Sequence, residues 1–149
     1  MLLSVVLVVH NQLSLTRACL ESLRSTTAPF ELCVVDNASS DDTEAYFRRF
    51  PLSFPLRYER SPENVGLIRA LNTGARLAGG EGLCFLHNDT EMREGEWLAR
   101  LRDAVVDGDR VGLAGLYGAR RVVVHVARAA EGAGRHRCSP RLDDPDRAR

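Results

Sequence analysis

The chain has 149 residues, 44% of them hydrophobic, enough for one domain with a real core and too apolar for a disordered chain. Its 20 basic and 20 acidic residues cancel to a formal net charge of zero, which argues against binding nucleic acid by charge. Every basic residue is arginine, as a GC-rich genome would give, so an arginine cluster carries little weight by itself.

Residues 1–9 are apolar but lack the basic start and small-residue cleavage site of a signal peptide, and they are too short to cross a bilayer. They predict a buried strand over 3–9. Ser14 is placed to cap a helix over 15–25 with Leu15, Cys19 and Leu23 on one face. A second strand follows over 31–35. Residues 37–42 form a loop rich in capping side chains, opening a helix that runs to about Phe50 with Tyr46, Phe47 and Phe50 on its apolar side. A short strand over 56–59 belongs near a sheet edge. After a loop over 61–66 come a helix over 67–78, stopped by Gly79 and Gly80, and a strand over 82–87. A helix over 94–107 buries Trp97, Leu101 and Val105, and strands over 111–116 and 121–127 complete the pattern. Strands alternating with helices predict a doubly wound α/β domain with a largely parallel sheet over residues 1–127. Residues 128–149 have no apolar periodicity and are expected to be an irregular or disordered tail.

Cys19, Cys33, Cys84 and Cys138 include no C-x-x-C pair, and three of them fall in apolar segments. They read as buried thiols of a reducing compartment rather than a zinc site or disulfide framework. With no segment long enough to span a membrane, a cytoplasmic protein is expected, peripheral association with a membrane being left open.

The candidate site lies at the strand ends. Right-handed crossovers bring the carboxyl ends of parallel strands to one edge, where open α/β sheets bind ligands. Strand one delivers His10 and Asn11, strand two Asp36 and Asn37, and strand four His87, Asn88 and Asp89. The turn after strand one contains no glycine, so a dinucleotide fingerprint is missing, as are a phosphate-binding P-loop and a G-x-S-x-G elbow. A zinc-like triad of His10, His87 and Asp89, giving a metal-dependent hydrolase, stays open on this reading.

Four blocks in order then identify a likeness: residues 4–11, 34–43, 63–72 and 85–90. The chain resembles the family 2 glycosyltransferases of the GT-A fold, which use nucleotide-diphosphate sugars. The resemblance implies transfer of a sugar from a UDP- or dTDP-type donor to an unknown acceptor, metal-assisted and inverting. It implies that His10 and Asn11 lie near the base, and that Asp36 with Asn37 contacts base or ribose. Asn64, Gly66, Arg69 and Asn72 would start the helix that faces the nucleotide. Asn88 and Asp89 would end a D-x-D-like motif, with Asp89 its last acid. That acid would hold Mn²⁺ or Mg²⁺ on the diphosphate, and His87 stands where the motif's first acid is usual. Magnesium needs only one or two carboxylates beside phosphates, whereas an imidazole ligand tilts the choice to manganese.

The family's acceptor base comes from a half that is essentially absent here. Asp143 and Asp144 are poor substitutes, and Glu91 and Glu94 fit a solvated helix start. The chain is therefore expected to be truncated after the donor-binding half, as a fragment, a short protein completed by a partner, or a reading frame that shifts near its end. A nucleotide-sugar-binding unit without turnover is the alternative reading. If the acceptor half is missing, the late sheet edge would be exposed and would favour a homo-oligomer.

Overall fold

The central strand is central because it is apolar on both faces. β1 (Leu3–Val9) sends Leu3, Val5, Leu7 and Val9 to one side and Val6 to the other, all fully or almost fully buried. The computed structural model describes residues 1–49, 53–107, 113–115 and 125–128. Within them follow α1 (Leu13–Leu23), β2 (Phe30–Asp36), α2 (Thr43–Arg49), β3 (Leu56–Arg60), α3 (Leu67–Leu77), β4 (Gly82–His87), α4 (Trp97–Val106), β5 (Leu113–Gly115) and β6 (His125–Arg128). The strands form one sheet in the order β3-β2-β1-β4-β6-β5. The first four run parallel, and β6 pairs antiparallel with both β4 and β5. The doubly wound α/β expectation holds, with the antiparallel pair confined to the late side.

One face of the sheet packs against α1, α2 and α4. Cys19, Leu20 and Leu23 of α1, Phe47 of α2, and Trp97, Leu98, Leu101 and Val105 of α4 close over Leu7, Val9, Leu32, Val34 and Leu86. Each such aliphatic side chain contributes about 1.5–3 kcal/mol by leaving water. The Trp97 indole keeps its polar edge satisfied by donating to Thr26 Oγ1 at 3.0 Å. The opposite face is covered by α3, which comes close because Gly74 sits on Val6; a methyl group at 74 would collide with Val6 Cγ1. Residue 74 therefore sets the distance between α3 and the sheet.

Two helix starts differ from the sequence reading, each for a local reason. α1 begins at Leu13 rather than after Ser14, because Asp41 Oδ2 accepts the Leu13 N–H at 3.1 Å and so supplies the cap from another loop. Within it Thr16 and Leu20 join Cys19 and Leu23 inside, while Leu15, expected on that face, stays 40% exposed. α4 begins at Trp97 rather than residue 94, since the Gly95 carbonyl is taken by the Thr27 N–H at 3.1 Å. Arg128, the first residue of the predicted 128–149 tail, instead ends β6 by pairing with Gly82, while Phe50, residues 121–124 of the predicted 121–127 strand, Cys138 and the rest of that tail lie outside the described residues.

At the amino end of the sheet a buried carboxylate ties four segments together. Glu31 Oε1 accepts from Ser4 Oγ at 2.6 Å and from the Gly79 N–H at 2.5 Å, and Glu31 Oε2 pairs with Arg57 Nε at 2.9 Å. Burial pushes the Glu31 carboxyl up, but the bonds from Ser4, Gly79 and Arg57 outweigh it and hold its pKa below the ordinary value. Its stabilisation is therefore fully present above the unfolded value of about 4.3 and is lost as the pH falls through the lower folded value. Urea unfolding at pH 7 and at pH 3.5 should show the native chain losing more stability than Glu31→Gln over that interval. Equal losses would remove Glu31 from the acid response.

Candidate functional site

The sheet register decides which residues meet. Val9 of β1 lies opposite Asp36, Val8 lies opposite His87, and Asp36 lies opposite Arg60. The carboxyl ends of β1, β2 and β4 thus share one edge, with the tip of β3 beside them.

At the tip of β1 the chain turns at once, with Asn11 and Gln12 both left-handed at φ 56° and 57°. Asparagine tolerates that conformation better than most residues. From there Asn11 straps the neighbouring loop: its N–H donates to Ser39 Oγ at 2.8 Å, and its Oδ1 accepts the Ser40 N–H at 2.7 Å.

Asp36, at the tip of β2, is 0% exposed. Its Oδ1 accepts the Ser39 N–H at 2.7 Å, its Oδ2 accepts the Tyr58 hydroxyl at 2.8 Å, and Arg60 Nε stands 3.6 Å from that same oxygen. Burial and then the hydrogen bond to Asp36 push the Tyr58 phenol well above its usual range, so it remains a donor. Arg60 also donates to the Ser39 carbonyl at 2.8 Å and pairs with Glu44 at 3.2 Å. The carboxylate thus lies inside the rim and organises residues 36–40, where the sequence places it against a ligand.

Asn37, also buried, is the junction of three segments. Its carbonyl accepts from His10 Nδ1 at 2.9 Å, its Oδ1 accepts the Val65 N–H at 2.9 Å, and its Nδ2 donates to Asn64 Oδ1 at 2.8 Å. Asn64 Oδ1 takes a second donor, the Gly66 N–H, at 3.0 Å. Gly66 adopts φ 80°, a left-handed turn that a side chain would strain, and it starts α3 without a side-chain cap. Arg69 and Asn72, three apart and so on one helix face, are exposed.

At the tip of β4, Asn88 turns inward and donates to Thr16 Oγ1 at 3.1 Å. The Thr90 N–H returns to the His87 carbonyl at 3.2 Å, closing a turn that leaves His87 and Asp89 exposed. Neither side chain makes a hydrogen bond or ion pair with the described residues. Beneath the turn the Cys19 thiol is pushed up to about 12 by burial and then by the Asp89 charge, so it stays protonated.

His10, Asn11, Asp36, Asn37, Asn64 and Gly66 therefore share one bonded cluster, and His87, Asn88 and Asp89 end on the same edge. The zinc-like triad does not form: no three His, Cys, Asp or Glu side chains among the described residues are placed to hold a metal. His10 is drawn to the β2 side by the Asn37 carbonyl, whereas His87 and Asp89 end β4 on the other side of β1. A hydrolase built on that triad is thereby set aside. Tyr58, Arg60 and Ser39 are the members that sequence reading missed. The signal for two of them was Tyr58-x-Arg60 in an edge strand, whose alternation points both side chains to the face of Asp36. No helix among the described residues is long and apolar enough to cross a membrane.

Comparison with known proteins bears on the family and the fold. The model of the family described as glycosyl transferase family 2 matches residues 4–141. Glycosyltransferase AglE of Haloferax volcanii is 34% identical over 101 residues, which cover 65% of this chain and 33% of that protein. A PGL/p-HBAD biosynthesis glycosyltransferase of Mycobacterium tuberculosis is 35% identical over 101 residues, 66% of this chain and 39% of its own. The chain thus spans a third to two fifths of the length of these relatives. Among solved structures, the mannosyltransferase PcManGT of Pyrobaculum calidifontis, in complex with GDP-Man and Mn²⁺, superposes with a TM-score of 0.77 at 21% identity, covering 85% of this chain and 44% of that one. S. aureus TarS 1-349 in complex with UDP-GlcNAc gives a TM-score of 0.68 at 25% identity, covering 82% and 37%.

Proposed function

We propose a function from one premise: this chain belongs to glycosyl transferase family 2, whose model spans residues 4–141. The rim binds a nucleotide-diphosphate sugar, UDP- or dTDP-type by resemblance, and the protein transfers the sugar to an acceptor. The observation that carries this reading is the register of β1 with β2 and β4, whose carboxyl ends lead into His10, Asn37 and Asp89 on one edge, with Asn64 held there by its bond to Asn37. His10 and Asn64 meet the base, and Asn11, Asp36 and Asn37 hold the loops that form its seat. Arg69, Asn72 and the uncapped N–H groups at the start of α3 meet phosphate and ribose, since a helix amino terminus favours anions. Asp89 and His87, exposed and without partners among the described residues, fit a divalent cation whose other ligands are water and diphosphate oxygens. Such a cation, Mn²⁺ or Mg²⁺, would neutralise the charge that develops on the departing nucleoside diphosphate.

Attack by an acceptor hydroxyl opposite the leaving group would invert the anomeric centre. None of the rim residues is assigned as the base for that step, and Asp143 and Asp144 lie outside the described residues. A donor-binding unit without turnover is therefore the second reading, and a transfer assay with UDP-sugars and Mn²⁺ separates the two. The β5 edge is a further part of the proposal, as a surface for pairing two copies.

The test of the donor site is thermal unfolding with UDP, dTDP and GDP, each with and without Mn²⁺. A ligand that binds only the folded chain at 100 times its Kd adds about 2.7 kcal/mol of stability, which reads as a rise in Tm. A rise with at least one nucleotide, larger with Mn²⁺, is expected. No rise with any of the three would sink the reading.

A further inference from the structure

α1 and α2 run side by side, because each crosses between neighbouring parallel strands and so leads from the carboxyl edge of the sheet back to the amino edge. Asp41 ties their starts together: its Oδ2 accepts the Leu13 N–H at 3.1 Å and its Oδ1 accepts the Thr43 hydroxyl at 2.6 Å. Beside this tie an open cavity of about 520 Å³ lies between the two helices, within the range of roughly 300–1,000 Å³ usual for small-molecule sites. Leu13 and Arg17 of α1 line it, with Asp42 just before α2 and Ala45, Tyr46 and Arg49 within α2. None of the residues assigned to the nucleotide is among them.

Two positive charges in this lining are left over. The nearby Arg24 is balanced by Glu21 at 3.1 Å, and Arg48 by Glu44 at 2.6 Å. Arg17 and Arg49 are exposed and form no ion pair among the described residues. The charges also come in order along the groove. Asp42 stands at the rim end, Arg17 lies one helical turn beyond Leu13, and Arg49 lies seven residues, about 10 Å, beyond Asp42. Between them the Arg17 guanidinium sits over the Tyr46 ring, 5.6 Å from its centroid, which sets an aromatic surface beside the positive charge. We propose that this groove is a second binding site, for a molecule that carries a phosphate on an aromatic or apolar body. The phosphate is held by the Arg17 and Arg49 guanidiniums, whose planar donors suit its oxygens. The body rests on Tyr46, Ala45 and Leu13, and Asp42 repels a second anion from the rim end, so the ligand takes one orientation. The site stands whether or not the rim binds a nucleotide sugar.

The test is a titration with phenyl phosphate, followed by NMR at the side chains of Arg17 and Arg49, beside inorganic phosphate and benzyl alcohol. Phenyl phosphate should give saturable shifts at both, with a Kd of about 1 mM or tighter. The other two probes each carry half of the chemistry and should bind at least about tenfold more weakly. Replacing both arginines, Arg17→Gln with Arg49→Gln, should weaken phenyl phosphate by about tenfold or more and leave UDP affinity at its native value. Ala45→Glu, which puts a carboxylate into the groove from an exposed helix position, should do the same. Sedimentation with vesicles of phosphatidylcholine, with and without phosphatidic acid, identifies the source: binding to the acidic vesicles alone assigns a lipid headgroup, and binding to neither assigns a soluble ester. Absence of saturable shifts, equal response to inorganic phosphate, or native affinity for phenyl phosphate in both variants overturns the site. A fall of UDP affinity in the variants would merge the groove with the rim and overturn it as a second site, whereas failure of the native chain to bind UDP would remove the donor reading alone.

Discussion

Asp89→Ala is expected to remove the metal-dependent part of nucleotide binding while leaving the fold as it was. The side chain is exposed and bonds no described residue, so its loss should change stability by no more than about 0.5 kcal/mol. For a bound cation it is the only carboxylate that the tip of β4 supplies, His87 adding a neutral nitrogen. Removing a neighbour that merely orients a metal ligand typically costs 10–100-fold in affinity, so removing the ligand itself should cost about 100-fold or more. Calorimetry of UDP with and without Mn²⁺ reads the effect directly: the native chain gains affinity from the metal, and Asp89→Ala gains little or none. His87→Ala should show a smaller loss of the same kind. An Asp89→Ala chain that responds to Mn²⁺ like the native one would take the metal away from this turn.

The elements and the edge on which they end could be read from the chain because they follow from patterns a few residues long. An apolar run such as 32–35 closing on Asp36 is a buried strand with a polar tip whatever surrounds it. Which way that tip faces could not be read, because it depends on pairing across the sheet. Asp36 and Asp89 look alike in sequence, each following an apolar run. Asp36 has β3 beside it, with Tyr58 and Arg60 on its face, and is drawn inside. Asp89 sits in the turn just beyond His87, the last paired residue of β4, and stays in water. The cap of α1 was illegible for the same reason, since Asp41 is distant in sequence and reaches Leu13 only once β1 and β2 are side by side. The absence of a metal triad is likewise a matter of pairing: one bond from His10 to the Asn37 carbonyl separates residues that the chain alone would group.

That contrast makes Asp36→Ala the second decisive substitution, with the opposite signature. Losing this carboxylate strands the Tyr58 hydroxyl and the Ser39 N–H, each at a cost of about 1–3 kcal/mol, and leaves Arg60 with one anion fewer. The two stranded donors are already a large share of the roughly 5–15 kcal/mol that holds a domain together, and partly exposed Arg60 at 3.6 Å adds little to that loss. The urea midpoint of Asp36→Ala should therefore fall steeply. Nucleotide affinity should fall with it, because the loop over 37–40 that Asn11 and Arg60 strap down loses its central acceptor. Asp36→Asn should sit between the two: its oxygen can keep the Ser39 N–H and its amide can donate to the Tyr58 oxygen, so only the approach to Arg60 turns unfavourable. If Asp36→Ala instead kept native stability and lost only nucleotide binding, the carboxylate would be a direct ligand contact, and its place behind Tyr58 and Ser39 would not describe the bound protein.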